Sequence, residues 1–362
     1  MTIKEFITLI EKHLPISIQE SFDHSGVQLG PFEALLKNPI LSLDLSLEVV
    51  NKAIEIDSNM IITHHPFFFN PLKTLSGNDT RTEIIKRLLM HNITVYAIHT
   101  PIDKIKGGMN DYFCKLIGLV NIEGFVKSGV NKIVKVQVFV PDTHQALIVN
   151  TIAEEGGGWI GNYSDCTFST KGIGTFKPCE NTNPYIGTKD KREYVNETKI
   201  ETVIPKARLD HLIKEVERAH PYEEVAMEAF ELNRPQFSYH LCRKGILKEI
   251  LPLSEFINHL KNITQQQSVR YNGDLKRPVK KIGVCTGSGT TFLENAIQEG
   301  LDVFITGDVG YHDFQFADEH GISIVEITHN HTEKHFPIVF SEFFKGYDIQ
   351  FHQHFSSFLN EC

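Results

Sequence analysis

Two stretches of the chain copy one another. LSLDLSLEVVNKAIEIDSNMIITHHPF, from Leu41, lies over VCTGSGTTFLENAIQEGLDVFITGDVG, from Val284, at a constant offset of 243 that puts Ala53 on Ala296 and Ile62-Thr63 on Ile305-Thr306. Each copy reads strand, turn, helix, strand: the apolar spacing in LEVVNKAIEI and FLENAIQEG is helical, and NMIIT and DVFIT are short runs of the buried-strand type. That is the β-α-β pattern of a mostly parallel sheet flanked by helices. The chain is therefore predicted to be α/β, with a split core of two similar α-β halves around a mixed or parallel sheet.

The next strand repeats too, HNITVYAIHTPID against HGISIVEITHNHTE, now at an offset of 230 that lays His99 on His329 and Asp103 on Glu333. Both halves thus carry H-x-x-x-[D/E] just past a strand. A lone histidine at a strand end is usually a hydrogen-bonded surface or core residue, but recurrence at matched positions is hard to assign to packing. Functional groups of open α/β sheets gather beyond the carboxyl ends of the strands. His64, His65, His99, Asp103, His329 and Glu333 would all lie there, so six potential ligands could converge on one cleft.

The texture differs between the halves. KVQVFV alternates with period two, Asp142 and Thr143 are candidate caps for the helical HQALIVNTIAEEGGG, and CTFSTKGIGTFKP reads as a hairpin-like pair. KIETVIP, the helical ARLDHLIKEVERAH and EVAMEAFEL then make a second β-α-β. This order predicts an inserted ferredoxin-like α+β domain. With turn-rich junctions at VKSGVN and LNRPQFS, the domains are 1–130 (core, first half), 131–235 (insert) and 236–362 (core, second half).

Composition limits the function classes. The net charge of −9 over 362 residues makes nucleic acid an unlikely partner. The opening MTIKEFITLIEKHLP lacks the layout of a signal peptide, and no apolar span reaches about 18 residues, so a cytoplasmic protein with no membrane partner is expected. The cysteines (Cys114, Cys166, Cys179, Cys242, Cys285, Cys362) form no C-x-x-C pair and predict reduced, mostly buried thiols.

Imidazole and carboxylate together suit Zn, Fe or Mn, and two metals roughly 3.5 to 4 Å apart need about this many ligands. The plain alternative is that HHP merely ends a strand, its rings bonded to carbonyls. The glycine turn at Gly287, Ser288 and Gly289 follows a strand and opens a helix, so its amides are candidates for receiving a phosphate or carboxylate, or simply for a tight connection. GDVGYH adds Asp308 and His312, as ligand-orienting or proton-donating groups or as a hydrogen-bonded pair.

In order, SFDHSGVQLG, ITHHPFFF, VYAIHTPIDKIKGGMND, GSG, DVFITGDVGYHDF and HNHTE resemble the NIF-three-like family, whose bacterial members are called GTP cyclohydrolase 1 type 2 homologs. GNYSDCTFSTKGIGTFKP, NPYIG and AHPYEEVA are similar to the inserted domain of its longer members, which is PII-like. The resemblance implies two divalent metal ions per chain on His64, His65, His99, Asp103, His329 and Glu333, with Asp103 and Glu333 as bridges. It also implies a toroidal homohexamer built from trimers. This chain has Phe22-Asp23-His24 where the family usually has Trp-Asp-Asn, His99-Thr100-Pro101-Ile102-Asp103 where it has HTNLD, and THNHTE where it commonly reads Gly-His-Tyr. His24 and His331 thereby join His312 as candidates for positioning or proton transfer, with solvent-facing histidines as the alternative.

The expected function is that of a dinuclear divalent-metal protein and metal-dependent hydrolase, cyclohydrolase-like or phosphoesterase, attacking a small-molecule substrate, a nucleotide among the candidates, with a metal-bridging water. The alternative is a non-enzymatic hexameric metal-binding or regulatory scaffold.

Overall fold

Met60–Thr63 and Val303–Gly307, the matched second strands of the two copies, are buried at every position, as parallel strands covered on both faces must be. Each is the middle of a parallel trio: Ile40–Ser42, Met60–Thr63 and Thr94–Ala97 in the first copy, Pro278–Ser288, Val303–Gly307 and Ser323–Glu326 in the second. Each trio carries an antiparallel strand on the same outer side, Gly26–Leu29 beside Thr94–Ala97 and Arg270–Tyr271 beside Ser323–Glu326. The computed structural model describes residues 1–72, 74–75, 79–160, 163–233 and 237–355.

The repeat builds two sheets, where one shared sheet was expected. The reason lies at the inner edges. His352–His354 pairs with Ile40–Ser42, while Arg243–Pro252 pairs with Pro278–Ser288 and then with Val120–Gly124. Both trios are thus capped before they could pair with each other, and each half lends a strand to the other's sheet.

Alternation along the strands places the core. Leu41, Met60, Ile62 and Tyr96 meet Ile3, Phe6 and Ile10 of the helix Ile3–His13 and Phe336 and Phe340 of Phe336–Phe343. Ile40, Ile61 and Val95 face the other way, onto Val49, Val50, Ala53, Ile84 and Leu88. Polar groups tie the halves. Buried Asn110 donates from Nδ2 to Leu241 O (2.8 Å) and accepts at Oδ1 from Thr286 N (2.8 Å). Buried Arg243 donates to Asp111 Oδ1 (2.9 Å), Lys104 O (2.9 Å) and His240 O (2.6 Å).

By its contacts the chain divides into Met1–Gly129 with Tyr239–Cys362, and Val130–Ser238. The expected junction around residue 235 falls partly on residues 234–236, and Cys362 on the end of the chain, both outside the described residues. The second unit runs β-α-β-β-α-β through Ile133–Pro141, Gln145–Glu154, Phe168–Phe176, Glu193–Pro205, Leu209–Ala219 and Met227–Glu231. Its antiparallel sheet has the order Met227–Glu231, Ile133–Pro141, Glu193–Pro205, Phe168–Phe176. Val134, Val136, Val138, Val140, Ile200 and Ile204 pack against Ile148, Ile152, Leu212 and Val216 of the two helices.

Two local expectations fail here. CTFSTKGIGTFKP supplies one strand, Phe168–Phe176, whose partner is Glu193–Pro205. Its glycines make no turn: a Cβ at Gly174 would lie 2.0 Å from Glu197 Oε2, so the missing side chain admits that carboxylate. Asp142 and Thr143 do not cap the helix but form a 3-10 turn with His144, and Asp142 accepts from Thr198 Oγ1 at 2.6 Å. Cys114, Cys166, Cys179, Cys242 and Cys285 are unbridged, and among the described residues no helix is long and apolar enough to cross a membrane.

Replacing Asp111 by Ala would strand the Arg243 guanidinium in the core and is expected to destabilise the protein by about 3 to 5 kcal/mol. Guanidinium unfolding of both proteins measures this; a loss under about 1 kcal/mol would mean that the pair does not hold the halves together.

Candidate metal centre

The strand Met60–Thr63 delivers two histidines on rigid backbone: His64 N and His65 N still donate to Ser42 O and Leu43 O (3.2 and 3.1 Å) beyond the strand's formal end. His99 follows Thr94–Ala97 and precedes the short helix Thr100–Lys104, whose turn brings Asp103 under it. His329 and Glu333 open and close the matched helix His329–Glu333. In the second of these helices the i, i+4 spacing puts imidazole and carboxylate on one face.

All four imidazoles are held the same way. Nδ1 donates to Ile98 O from His64 (3.0 Å), to Asp44 Oδ1 from His65 (2.8 Å), to Asp23 Oδ1 from His99 (3.1 Å) and to Asp308 Oδ2 from His329 (2.6 Å). Such bonds set the ring orientation and leave Nε2 as the ligand atom, as in metal-bound histidines. The Nε2 atoms of His65 and His329 are 3.3 Å apart, and each reaches Glu333 Oε2, at 3.0 and 2.9 Å. His64 Nε2 lies 3.6 Å from Glu333 Oε1 and 3.7 Å from Asp103 Oδ1. Ligand atoms of His64, His65 and His99 fall within 4.8 Å of one another, as do those of His65, His329 and Glu333. Asp103 stands outside both tight groups, beside His64.

Chemistry and burial fit a cation. Among the described residues, His64 Nε2 and Asp103 Oδ1 are buried without a hydrogen-bond partner, a state that polar atoms inside proteins rarely tolerate. Burial pulls the His64, His65 and His329 pKa values down, but neighbouring carboxylates overcome it: His64 is raised by Asp103 and Glu333, His65 is pushed to about 10 by Asp44 and Glu333, and His329 to about 9 chiefly by Glu333. Burial likewise opposes the charge on Glu333, yet His64, His329 and His65 hold its pKa well below the carboxylate range. For Asp103, burial wins and the pKa rises, with the Glu333 charge adding to it. Protons here hold together what a divalent cation would.

The other expected groups lie elsewhere. His24 is exposed, its ring 6.1 Å from Phe69, which in turn is 6.3 Å from His99. His331 bonds Thr328 Oγ1 through Nδ1 (2.7 Å), and His312 is exposed at the start of Tyr311–Glu319. None of the three belongs to either tight group. At the glycine turn two of the three amides already have partners within the fold: Gly287 N donates to Thr332 Oγ1 (2.9 Å) and Gly289 N to Thr306 Oγ1 (2.8 Å), while Ser288 ends a strand. Gly287 serves the site differently. At φ +68°, a Cβ there would stand 2.3 Å from Glu333 Oε1.

Asp23 and Asp44 are the residues that sequence reasoning missed. Burial opposes the Asp23 charge, but His99, Thr100 and Ser25 together hold its pKa well below the carboxylate range. An acid inside the apolar run LSLDL, just past a strand, was the available signal for Asp44.

Gly287→Ala should displace the Glu333 carboxylate and weaken metal binding at least tenfold, as competition with a chromogenic chelator would measure, and should also lower the melting temperature, because a left-handed φ strains alanine; unchanged affinity would refute the crowding. Metal binding at pH 7 should release protons, because His65 and His329 hold them in the metal-free chain. Affinity then falls as pH falls, and calorimetry in buffers of different ionisation enthalpy counts the protons. Without metal the sign reverses: stability from these raised pKa values is full below the ordinary histidine value and fades as pH rises through about 9 to about 10.

A family model described as Duf34/NIF3 (NGG1p interacting factor 3) matches residues 1–358. A GTP cyclohydrolase 1 type 2 homolog of Halalkalibacterium halodurans is 36% identical over 324 residues, 90% of this chain and 87% of that one; its Bacillus subtilis counterpart is 34% identical over 326 residues, 90% and 87%. The crystal structure of a Bacillus cereus protein related to NIF3 superposes with a TM-score of 0.81 at 34% identity, covering 100% of this chain and 98% of that one. That of a Staphylococcus aureus protein gives 0.70 at 28% identity, covering 99% and 97%. With the family model matched along residues 1–358 and relatives that align over nine-tenths of its length, the chain belongs to the Duf34/NIF3 family.

Proposed function

We propose that this chain holds two divalent metal ions and is a metal-dependent hydrolase. Glu333 offers Oε1 toward His64 and Oε2 toward His65 and His329, so one buried carboxylate could serve both ions, with Asp103 beside His64 and His99 beside His64 and His65. Ions of the zinc, iron or manganese class would supply Lewis acidity and bring a bound water's pKa toward neutrality.

The observation that carries the enzymatic reading is a gradient of exposure. The side chains of His64 and Glu333 are 0% and 4% exposed, whereas those of His65, His99 and His329 are 23%, 19% and 32% exposed. One side of the cluster is sealed and the other faces solvent, as a site needs if it is to keep a position open for substrate. A cleft of about 600 Å³, lined by Asp44, His65, Phe67 and Arg81 among others, reaches the cluster at His65. His24 beyond Phe69, together with His331 and His312, are the chain's candidates for protonating a leaving group. The relatives' name makes GTP the first substrate to try; phosphoesters would use the same ligands.

The same reading takes the second unit as a ferredoxin-like, PII-like insert, on the strength of its β-α-β-β-α-β order, and the assembly as a trimer-based toroidal homohexamer in the cytoplasm, on the strength of the family. Elemental analysis of the wild type, His64→Ala and Glu333→Ala tests the centre: two ions per chain are expected, lost in both variants, with hydrolysis of GTP or a phosphoester by the loaded wild type. No stoichiometric metal after reconstitution with zinc, iron and manganese would sink it. Two ions without turnover would favour the non-enzymatic scaffold.

A further inference from the structure

Two motifs of the second unit, NPYIG and AHPYEEVA, have no part in the metal centre. The fold brings them together. Asn183 N donates to both carboxylate oxygens of Glu223 (2.9 and 3.1 Å), which joins the loop after Phe168–Phe176 to the segment after the helix Leu209–Ala219. Between them opens a cleft of about 520 Å³, lined among others by Phe176, Tyr185, Tyr222, Glu197, Glu223 and Glu224.

The lining is built. His220 Nε2 donates to Phe139 O (3.0 Å) while its Nδ1 accepts from Tyr222 N (3.1 Å), so the ring is neutral and latches the segment to the sheet. Tyr222 donates its hydroxyl to Glu197 Oε1 (2.8 Å), and Gly174 leaves room for the other Glu197 oxygen. Tyr222 is the hub of the aromatic wall, with ring centroids 6.0 Å from Phe176 and 6.3 Å from Tyr185. The charged groups of the lining are three glutamates and Lys177, and the Lys177 ammonium already faces Asp190 at 3.4 Å.

Aromatic faces attract cations through the ring quadrupole, and a carboxylate at the rim adds direct charge attraction while rejecting anions. A neutral apolar ligand would use the rings and leave the glutamates idle. We propose that this cleft is a binding site for an organic ammonium ion, with Tyr185, Tyr222 and Phe176 against its alkyl-ammonium face and Glu197 as counter-charge. The site is independent of the metal chemistry proposed above.

Calorimetric titration of the full-length protein with choline, tetramethylammonium and 3,3-dimethylbutan-1-ol, the neutral isostere of choline, tests this. Saturable binding of both cations is expected, with choline at least about tenfold tighter than the alcohol and about tenfold weaker in Tyr185→Ala and in Glu197→Gln. Tyr185 is half exposed, so its loss should leave the melting temperature intact. Gln at 197 still accepts the Tyr222 hydroxyl, which isolates the charge. Equal affinity for the alcohol would reduce the cleft to an apolar pocket and overturn the proposal. So would failure of both cations to saturate at millimolar concentration, or wild-type affinity in both variants.

Discussion

Glu333 is a buried carboxylate that contacts two imidazoles directly and faces a third, and this concentration of charge is what the rest of the core is arranged to support. An isolated buried carboxylate would be expelled or protonated. Here four rings, each fixed through Nδ1 by a carbonyl or an aspartate, turn their remaining nitrogens inward. The supporting aspartates come from different places: Asp23 before Gly26–Leu29, Asp44 after Ile40–Ser42, Asp308 in a left-handed conformation (φ 53°) after Val303–Gly307 in the other half. A side chain that can flip cannot hold a ligand position to the tolerance that metal coordination needs, so these three residues matter as much as the imidazoles.

Because ligands come from both copies of the repeat, the halves must be held in register with each other. The exchanged edge strands do this through backbone hydrogen bonds, and Asn110 and Arg243 do it through side chains whose partners lie across the divide. Asn110 also donates to Asp103 O (3.3 Å), so the same residue that joins the halves steadies a proposed ligand. Gly287 performs the complementary task by absence: the second half approaches Glu333 so closely that no side chain fits. In the first half the equivalent position is Asp44, which orients His65. The copies have diverged into different supporting roles around one centre.

What could be read in advance was what repeats. The β-α-β units and the matching of His99 and Asp103 with His329 and Glu333 followed from two offsets along the chain, and the family from the resemblance of its motifs. The misreadings share a physical cause. CTFSTKGIGTFKP was read as a hairpin-like pair, and GSG as a phosphate-receiving turn or a tight connection; in the folded chain Gly174 and Gly287 are places where a carboxylate, Glu197 or Glu333, comes too close for a Cβ. Close approach between residues distant in sequence leaves no local mark. The same holds for Asp23, whose value to His99 depends on a contact across 76 positions.

Sequence alone therefore determined the alternation of elements, the repeat, and which residue types could bind metal, since these depend on side-chain chemistry and on spacing within one turn or one strand. Tertiary structure decided that the repeat closes into two sheets with exchanged edges, that Nδ1 is anchored and Nε2 turned inward at all four histidines, that the cluster is sealed on one side and open on the other, and that NPYIG and AHPYEEVA meet around an acidic aromatic cleft. Each of these turns on which distant groups compete for the same space or the same hydrogen bond, and that competition is resolved only when the chain is packed.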